Sequence, residues 1–96
     1  MSLAASSRPA LARRARVRWD EARATHVMLY PEGVIVLTAE AAEVLALCDG
    51  ARTLGDITSE LAARYPDADA ETVATDVRDL LERLAARGFI REGGAP

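Results

Sequence analysis

The chain has 96 residues, half of them hydrophobic, a formal net charge of −3 at pH 7 and an isoelectric point near 5.1; this fits one domain that buries roughly 60–65% of its unfolded surface. A single cysteine and a single histidine exclude an internal disulfide and fall short of a metal site, and no apolar run approaches the ~18 residues of a membrane span. Four aromatics, Trp19, Tyr30, Tyr65 and Phe89, leave the core aliphatic, and the N-terminus lacks the long apolar run of a secretory signal, so the expected compartment is the cytoplasm.

Residues 1–13 carry Ser, Ala and Pro9 without a sustained period and read as a flexible N-terminal segment. From Arg14 the pattern alternates, with Arg14, Arg16 and Arg18 against Ala15, Val17 and Trp19, which predicts a strand with one cationic and one apolar face. All basic residues are arginine. Six of them lie between Arg8 and Arg23 against Asp20 and Glu21, a local +4, while the remainder carries six against thirteen acids, or −7. Such an arm suits nucleic acid or an acidic partner, or is simply a solvated segment.

Two further strands are predicted at His26–Tyr30 and Val34–Leu37. Pro31 presets φ for the turn between them, and Gly33 is expected to take the positive φ that closes a short hairpin. The second strand is continuously apolar and therefore needs cover on both faces or a partner along its edge.

Thr38 offers an N-cap to a first helix with the stripe Leu37, Ala41, Val44, Leu45 and Cys48, and Asp49-Gly50 is expected to stop it. Thr53 caps a second helix, with Asp56 completing a capping box, an apolar face of Leu54, Ile57, Leu61 and Tyr65, and Pro66 at its end. Asp69 caps the third and longest, with Val73, Val77, Leu80, Leu81 and Leu84 as its stripe and Gly88 as its stop. Phe89–Ile90 is a short extended piece, and 91–96 read as a flexible tail.

Cys48 shares the stripe of Val44 and Leu45, where cysteine behaves as a small hydrophobe, and nothing local places His26 beside it. The expected fold is therefore α+β and winged helix-turn-helix-like: an N-terminal β-hairpin or three short strands followed by a three-helix bundle, in one domain spanning 14–90.

A fold of this kind often reads DNA through its third helix, but fold alone does not give function. Here the N-terminal half of that helix sets Asp69, Glu71, Asp76 and Asp79 against Arg78, which opposes binding to phosphates. Catalysis lacks a basis. There is no Gly-rich phosphate loop and no Cys/His cluster; the acids are expected on helix surfaces, in pairs such as Glu82 with nearby arginines, and His26 on a strand surface. A docking site is the third reading. If Val34–Leu37 lies at a sheet edge, its unpaired N–H and C=O groups can accept a peptide as an extra strand, with the third helix as the other wall. The same apolar residues also read as plain core, and the pattern alone leaves both readings open.

The stretches "LYPEGVIVLTAEAAEVL", "LCDGARTLGDI" and "DVRDLLERLAARGFI", in this order and spacing, resemble the PqqD family of pyrroloquinoline quinone (PQQ) biosynthesis over about Arg8–Ile90. One departure is Thr38, where relatives are expected to carry Asn; either residue caps a helix. The resemblance implies a non-catalytic, cofactor-free peptide chaperone, similar to the precursor-recognition domains of ribosomally made, modified peptides. Such a domain captures the PQQ precursor peptide and presents it to a radical S-adenosylmethionine (SAM) enzyme, which links a glutamate and a tyrosine. By position, the resemblance puts the peptide along Val34, Ile35, Val36 and Leu37 and against Val73, Val77, Leu80, Leu81 and Leu84. Arg78 and Arg83 are expected to meet acidic peptide residues. Neither nucleic acid nor membrane is an expected partner, and the exposed edge leaves a homodimer open.

Overall fold

The computed structural model describes residues 2–93. Its elements run β1 (Pro9–Leu11), β2 (Arg16–Asp20), β3 (Thr25–Tyr30), β4 (Gly33–Val36), α1 (Ala39–Ala46), α2 (Leu54–Arg64), α3 (Ala70–Ala86) and β5 (Ile90–Glu92). Two antiparallel sheets result, one of β2-β3-β4 in that order and one pairing β1 with β5.

The β2–β3–β4 meander follows from the alternation. Register pairs Arg16 with Leu29, Arg18 with Val27 and Val27 with Val36, so Arg16, Arg18, Val27, Leu29, Val34 and Val36 share the outer face. Val17, Met28 and Ile35 point the other way, toward the helices, and Met28 is fully buried. The first predicted strand thus starts two residues late. Arg14 sits outside it, with its guanidinium donating to the Arg87 carbonyl (3.0 Å), pairing with Glu32 (3.2 Å) and lying 4.7 Å from the Phe89 ring centre. The β3–β4 hairpin turns on Pro31 and Glu32 alone. Gly33 does not take the expected positive φ; it opens β4, where a Cβ would stand 3.3 Å from the Tyr30 hydroxyl.

Each helix begins where the sequence offers a cap. The Thr38 hydroxyl accepts from the Ala41 N–H (3.0 Å), and the Asp69 carboxylate accepts from the Thr72 N–H (3.1 Å). Thr53 and Asp56 form a complete reciprocal box, whose backbone hydrogen bond holds the Asp56 carboxyl below its ordinary range. At the other end of α3, Gly88 takes φ +80°, with Gly88 N–H donating to Ala85 O (2.9 Å) and Phe89 N–H to Leu84 O (2.9 Å). That is the Schellman closure. Helix α1 ends earlier than expected, capped at Leu47, because Asp49 bridges to Ala10 and the Gly50 N–H donates to Pro9 O (3.0 Å).

Of the expected flexible segment 1–13, the described residues 2–13 are instead built into the molecule. β1 pairs with β5, Leu3 is buried, and its N–H donates to Glu82 Oε2 (3.1 Å). The Glu82 carboxylate therefore serves the N-terminal segment, and no arginine forms an ion pair with it among the described residues. Further along the segment, Ser7 O and Ala5 O accept from Leu54 N–H (2.7 Å) and Gly55 N–H (3.0 Å). At the far end, Gly93 N–H donates to Arg8 O (2.7 Å), and a Cβ at position 93 would fall 2.5 Å from the Gly50 Cα. Residues 91–92 of the expected tail belong to β5; 94–96 lie outside the described residues.

One core joins these layers, with Met28, Leu54, Ile57, Leu81 and Phe89 at its centre and no buried side-chain polar atom left without a partner among the described residues. No helix is long and apolar enough to cross a membrane among those residues.

Candidate functional site

The strand β4 is an edge strand, and its register decides which backbone groups are free. The Leu37 N–H donates to His26 O (3.0 Å), so Leu37 and His26 form a hydrogen-bonded pair. Antiparallel pairs alternate, which places Ile35 opposite Met28 and Gly33 opposite Tyr30 in the same class. Val34 and Val36 therefore turn their N–H and C=O groups away from β3, to the open side. Their side chains, 48% and 58% exposed, stand on the outer face.

Just past the end of β4, Thr38 lines a cavity of about 350 Å³ between the three helices. Its apolar walls are Ala41 and Val44 of α1, Leu61 of α2, and Val73, Val77 and Leu80 of α3. Tyr65, 40% exposed, stands at this cavity with its hydroxyl donating to Glu43, a bond that pushes the phenol pKa up. Glu40, Glu43 and Asp76 also line it, against Arg83 as the single cation of the lining.

The residues expected at the site divide into two groups. Val34, Val36, Val73, Leu80 and Arg83 are exposed or half-buried, Ile35 is half-buried against the core, and Val77 is buried but lines the cavity. Leu37, Leu81 and Leu84 are buried in the core, Leu81 completely, so their side chains are already covered from within. Arg78 is exposed and does not line the cavity. Neither Arg78 nor Arg83 makes an ion pair among the described residues. Sequence reasoning missed nine of the lining residues: the polar or aromatic Thr38, Glu40, Glu43, Tyr65 and Asp76, and the apolar Ala41, Val44, Leu61 and Ala68. Glu40 and Glu43 lie one turn apart, so a shared face was legible; that this face borders a cavity depends on how α1 meets α3.

The Cys48 S–H donates to Val44 O (3.3 Å), and burial, with the Asp49 charge second, pushes the thiol pKa up to about 12. His26 stands edge-on to Trp19 at 5.1 Å rather than oriented by a carboxylate. No group of three or more potential metal ligands gathers among the described residues. The exposed side of α3 offers Glu71, Asp76 and Asp79 beside Arg78, an unfavourable face for a phosphate backbone.

Comparison with known proteins gives the family and the fold. The family described as Coenzyme PQQ synthesis protein D (PqqD) matches residues 25–90. A PqqA binding protein of Bradyrhizobium diazoefficiens is 44% identical over 92 residues, covering 96% of this chain and 88% of that one. Another from Methylococcus capsulatus is 44% identical over 77 residues, 80% of each chain. Among solved structures, the PqqD part of Methylobacterium extorquens PqqCD, a stand-alone recognition element for ribosomally synthesized and post-translationally modified peptides (RiPPs), aligns with a TM-score of 0.79. That alignment has 35% identity and covers 95% of this chain and 96% of that one. Xanthomonas campestris PqqD aligns with a TM-score of 0.57 at 37% identity, over 94% and 99%. Alike in sequence and fold to these proteins along nearly its whole length, the chain is a member of the PqqD family.

Proposed function

We propose that this protein is a non-catalytic chaperone that binds the PQQ precursor peptide by strand addition at β4 and presents it to the radical SAM enzyme of the pathway. The observation that carries the reading is the free backbone of Val34 and Val36 on a strand that leads, at Thr38, to a helix-walled and mostly apolar cavity. Relatives named for binding PqqA, and a neighbour named as a RiPP recognition element, support it. The frame is of winged-helix type: a small β-sheet set against three helices, acting in the cytoplasm.

Magnitudes assign the roles. Ordering each peptide residue costs about 1–2 kcal/mol of backbone freedom. Each backbone hydrogen bond returns a net of about 0.5–1.5 kcal/mol. The two valines can make four such bonds, so pairing roughly offsets the ordering of a short strand. Net affinity then comes from apolar side chains of the guest, each worth about 1.5–3 kcal/mol when buried. Val73, Val77 and Leu80 receive them on the helix side, Ile35 backs the strand from the core side, and Val34 and Val36 flank it on the outer face. Arg83 is the group for a guest carboxylate, working against three acids in the same lining. Once the peptide is held, the chaperone raises its effective concentration at the enzyme.

A pair of proline variants tests this. Val36→Pro removes an N–H that faces only the open edge, so the domain stays folded and peptide affinity falls about fivefold or more, by the loss of one hydrogen bond. Ile35→Pro removes the N–H directed at Met28 and destabilises the fold itself. Isothermal calorimetry with the precursor peptide gives the answer; unchanged affinity in a folded Val36→Pro protein overturns the edge site.

A further inference from the structure

The same sheet has a second open edge, at β2, whose chemistry differs from that of β4. In β3 the residues bonded to β4 are His26, Met28 and Tyr30, so Thr25, Val27 and Leu29 bond β2 through Asp20, Arg18 and Arg16. This leaves the N–H and C=O groups of Val17 and Trp19 facing outward. On the helix side of that edge lies an open cleft of about 720 Å³, lined by Leu11, Val17, Trp19, Ala42, Leu45 and Cys48, and also by the polar Arg18, His26, Glu43 and Arg64. Trp19 is 52% exposed there. On the outer face stand Arg16 and Arg18, both exposed and without an ion pair among the described residues, while the nearby Asp20 is already matched by Arg23 at 2.6 Å.

Arginines alone would be explained as guards that keep an edge from pairing. A guarded edge does not, however, set a large exposed aromatic beside free backbone and next to a cleft whose lining is mostly apolar. From this we infer that β2 is a second docking edge, for an extended segment of a partner protein in which acidic and apolar residues alternate. Every second side chain of an added strand lies beside Arg16 and Arg18, and the intervening ones lie beside Val17 and Trp19. The guest's alternation is thus the complement of β2's own. The β4 edge, apolar on both faces, selects a different sequence, so the two guests do not compete. They would lie four strand spacings apart, roughly 19 Å, close enough for one sheet to hold a peptide and a protein side by side. This inference stands on β2 alone and survives if the β4 site fails.

Trp19 is the only tryptophan of the chain and reports directly. A short peptide of alternating glutamate and valine, titrated into the full chain, is expected to shift Trp19 emission to the blue and to slow exchange of the Val17 and Trp19 amides. The double variant Arg16→Glu/Arg18→Glu should weaken that binding about tenfold or more through like-charge repulsion, whereas Val36→Pro should leave it unchanged. A lysine–valine peptide of the same length should not bind. Equal binding of the lysine peptide, unaltered Val17 and Trp19 exchange, self-association of the chain at this edge, or a duplex DNA producing the Trp19 shift in place of the acidic peptide would each overturn the inference.

Discussion

Cys48 illustrates how local surroundings fix a side chain's role. It lies on the inner stripe of α1, its S–H is given to Val44 O, and its thiol is pushed up to about 12 from an ordinary value of 9.0. A raised thiol pKa means that the folded state favours the neutral form. The resulting stabilisation is therefore complete below pH 9 and is lost as pH rises from there toward 12. At pH 8 the native thiol should resist a disulfide reagent and react only as the protein unfolds. Rapid modification of folded protein at that pH would mean that the side chain is accessible and activated. This role was legible in the sequence, because the helical period puts Cys48 with Val44 and Leu45. Ala24 was not: it takes φ +53° in the β2–β3 loop, and nothing in an alanine announces a left-handed residue. The turn around it is held by Asp20, whose carboxylate accepts from Ala22 N–H (2.9 Å) and Arg23 N–H (3.2 Å).

Among the elements, all three helix starts were readable because each depends on a residue and a partner within three positions: Thr38, Thr53 and Asp69. The end of α3 was readable for the same reason. Gly88 closes it at φ +80°, a conformation that costs a β-carbon-bearing residue about 1 kcal/mol or more. Gly88→Ala should accordingly lower stability by about 1 kcal/mol in urea unfolding with an unchanged m-value, since the crowding is only against the tip of Arg14. No loss of stability would remove the cap from the account. The end of α1 was misplaced because what ends it is distant: Pro9 and Ala10 draw Gly50 and Asp49 into backbone bonds that local pattern does not reveal. β1 was hidden likewise, and of β5 only the short extended piece at Phe89–Ile90 was read. Three residues, Pro-Ala-Leu, carry no period, and their partner strand begins at Ile90.

For the molecule as a whole, the N-terminal segment and β5 form a clasp over the α1–α2 corner, and Leu3 is its anchor in the core. Leu3→Ala should cost about 2 kcal/mol or more, as deletion of a buried leucine does elsewhere; a frayed terminus would give no change in denaturant midpoint. The clasp leaves the β2-β3-β4 sheet open at both edges, and the account rests on the β4 edge receiving a guest. The sequence supplied the residues of that edge, its apolar run and its family likeness, but not the register that singles out Val34 and Val36. Register decides which N–H groups are free, and it comes from pairing across the hairpin. Residue-resolved amide hydrogen exchange of the full chain, with and without saturating precursor peptide, therefore tests the central claim most directly. Val34 and Val36 should exchange fast alone and slowly with peptide, while Ile35 is protected throughout. Protection of Val34 and Val36 in the free protein, or no change when the peptide is bound, would contradict it.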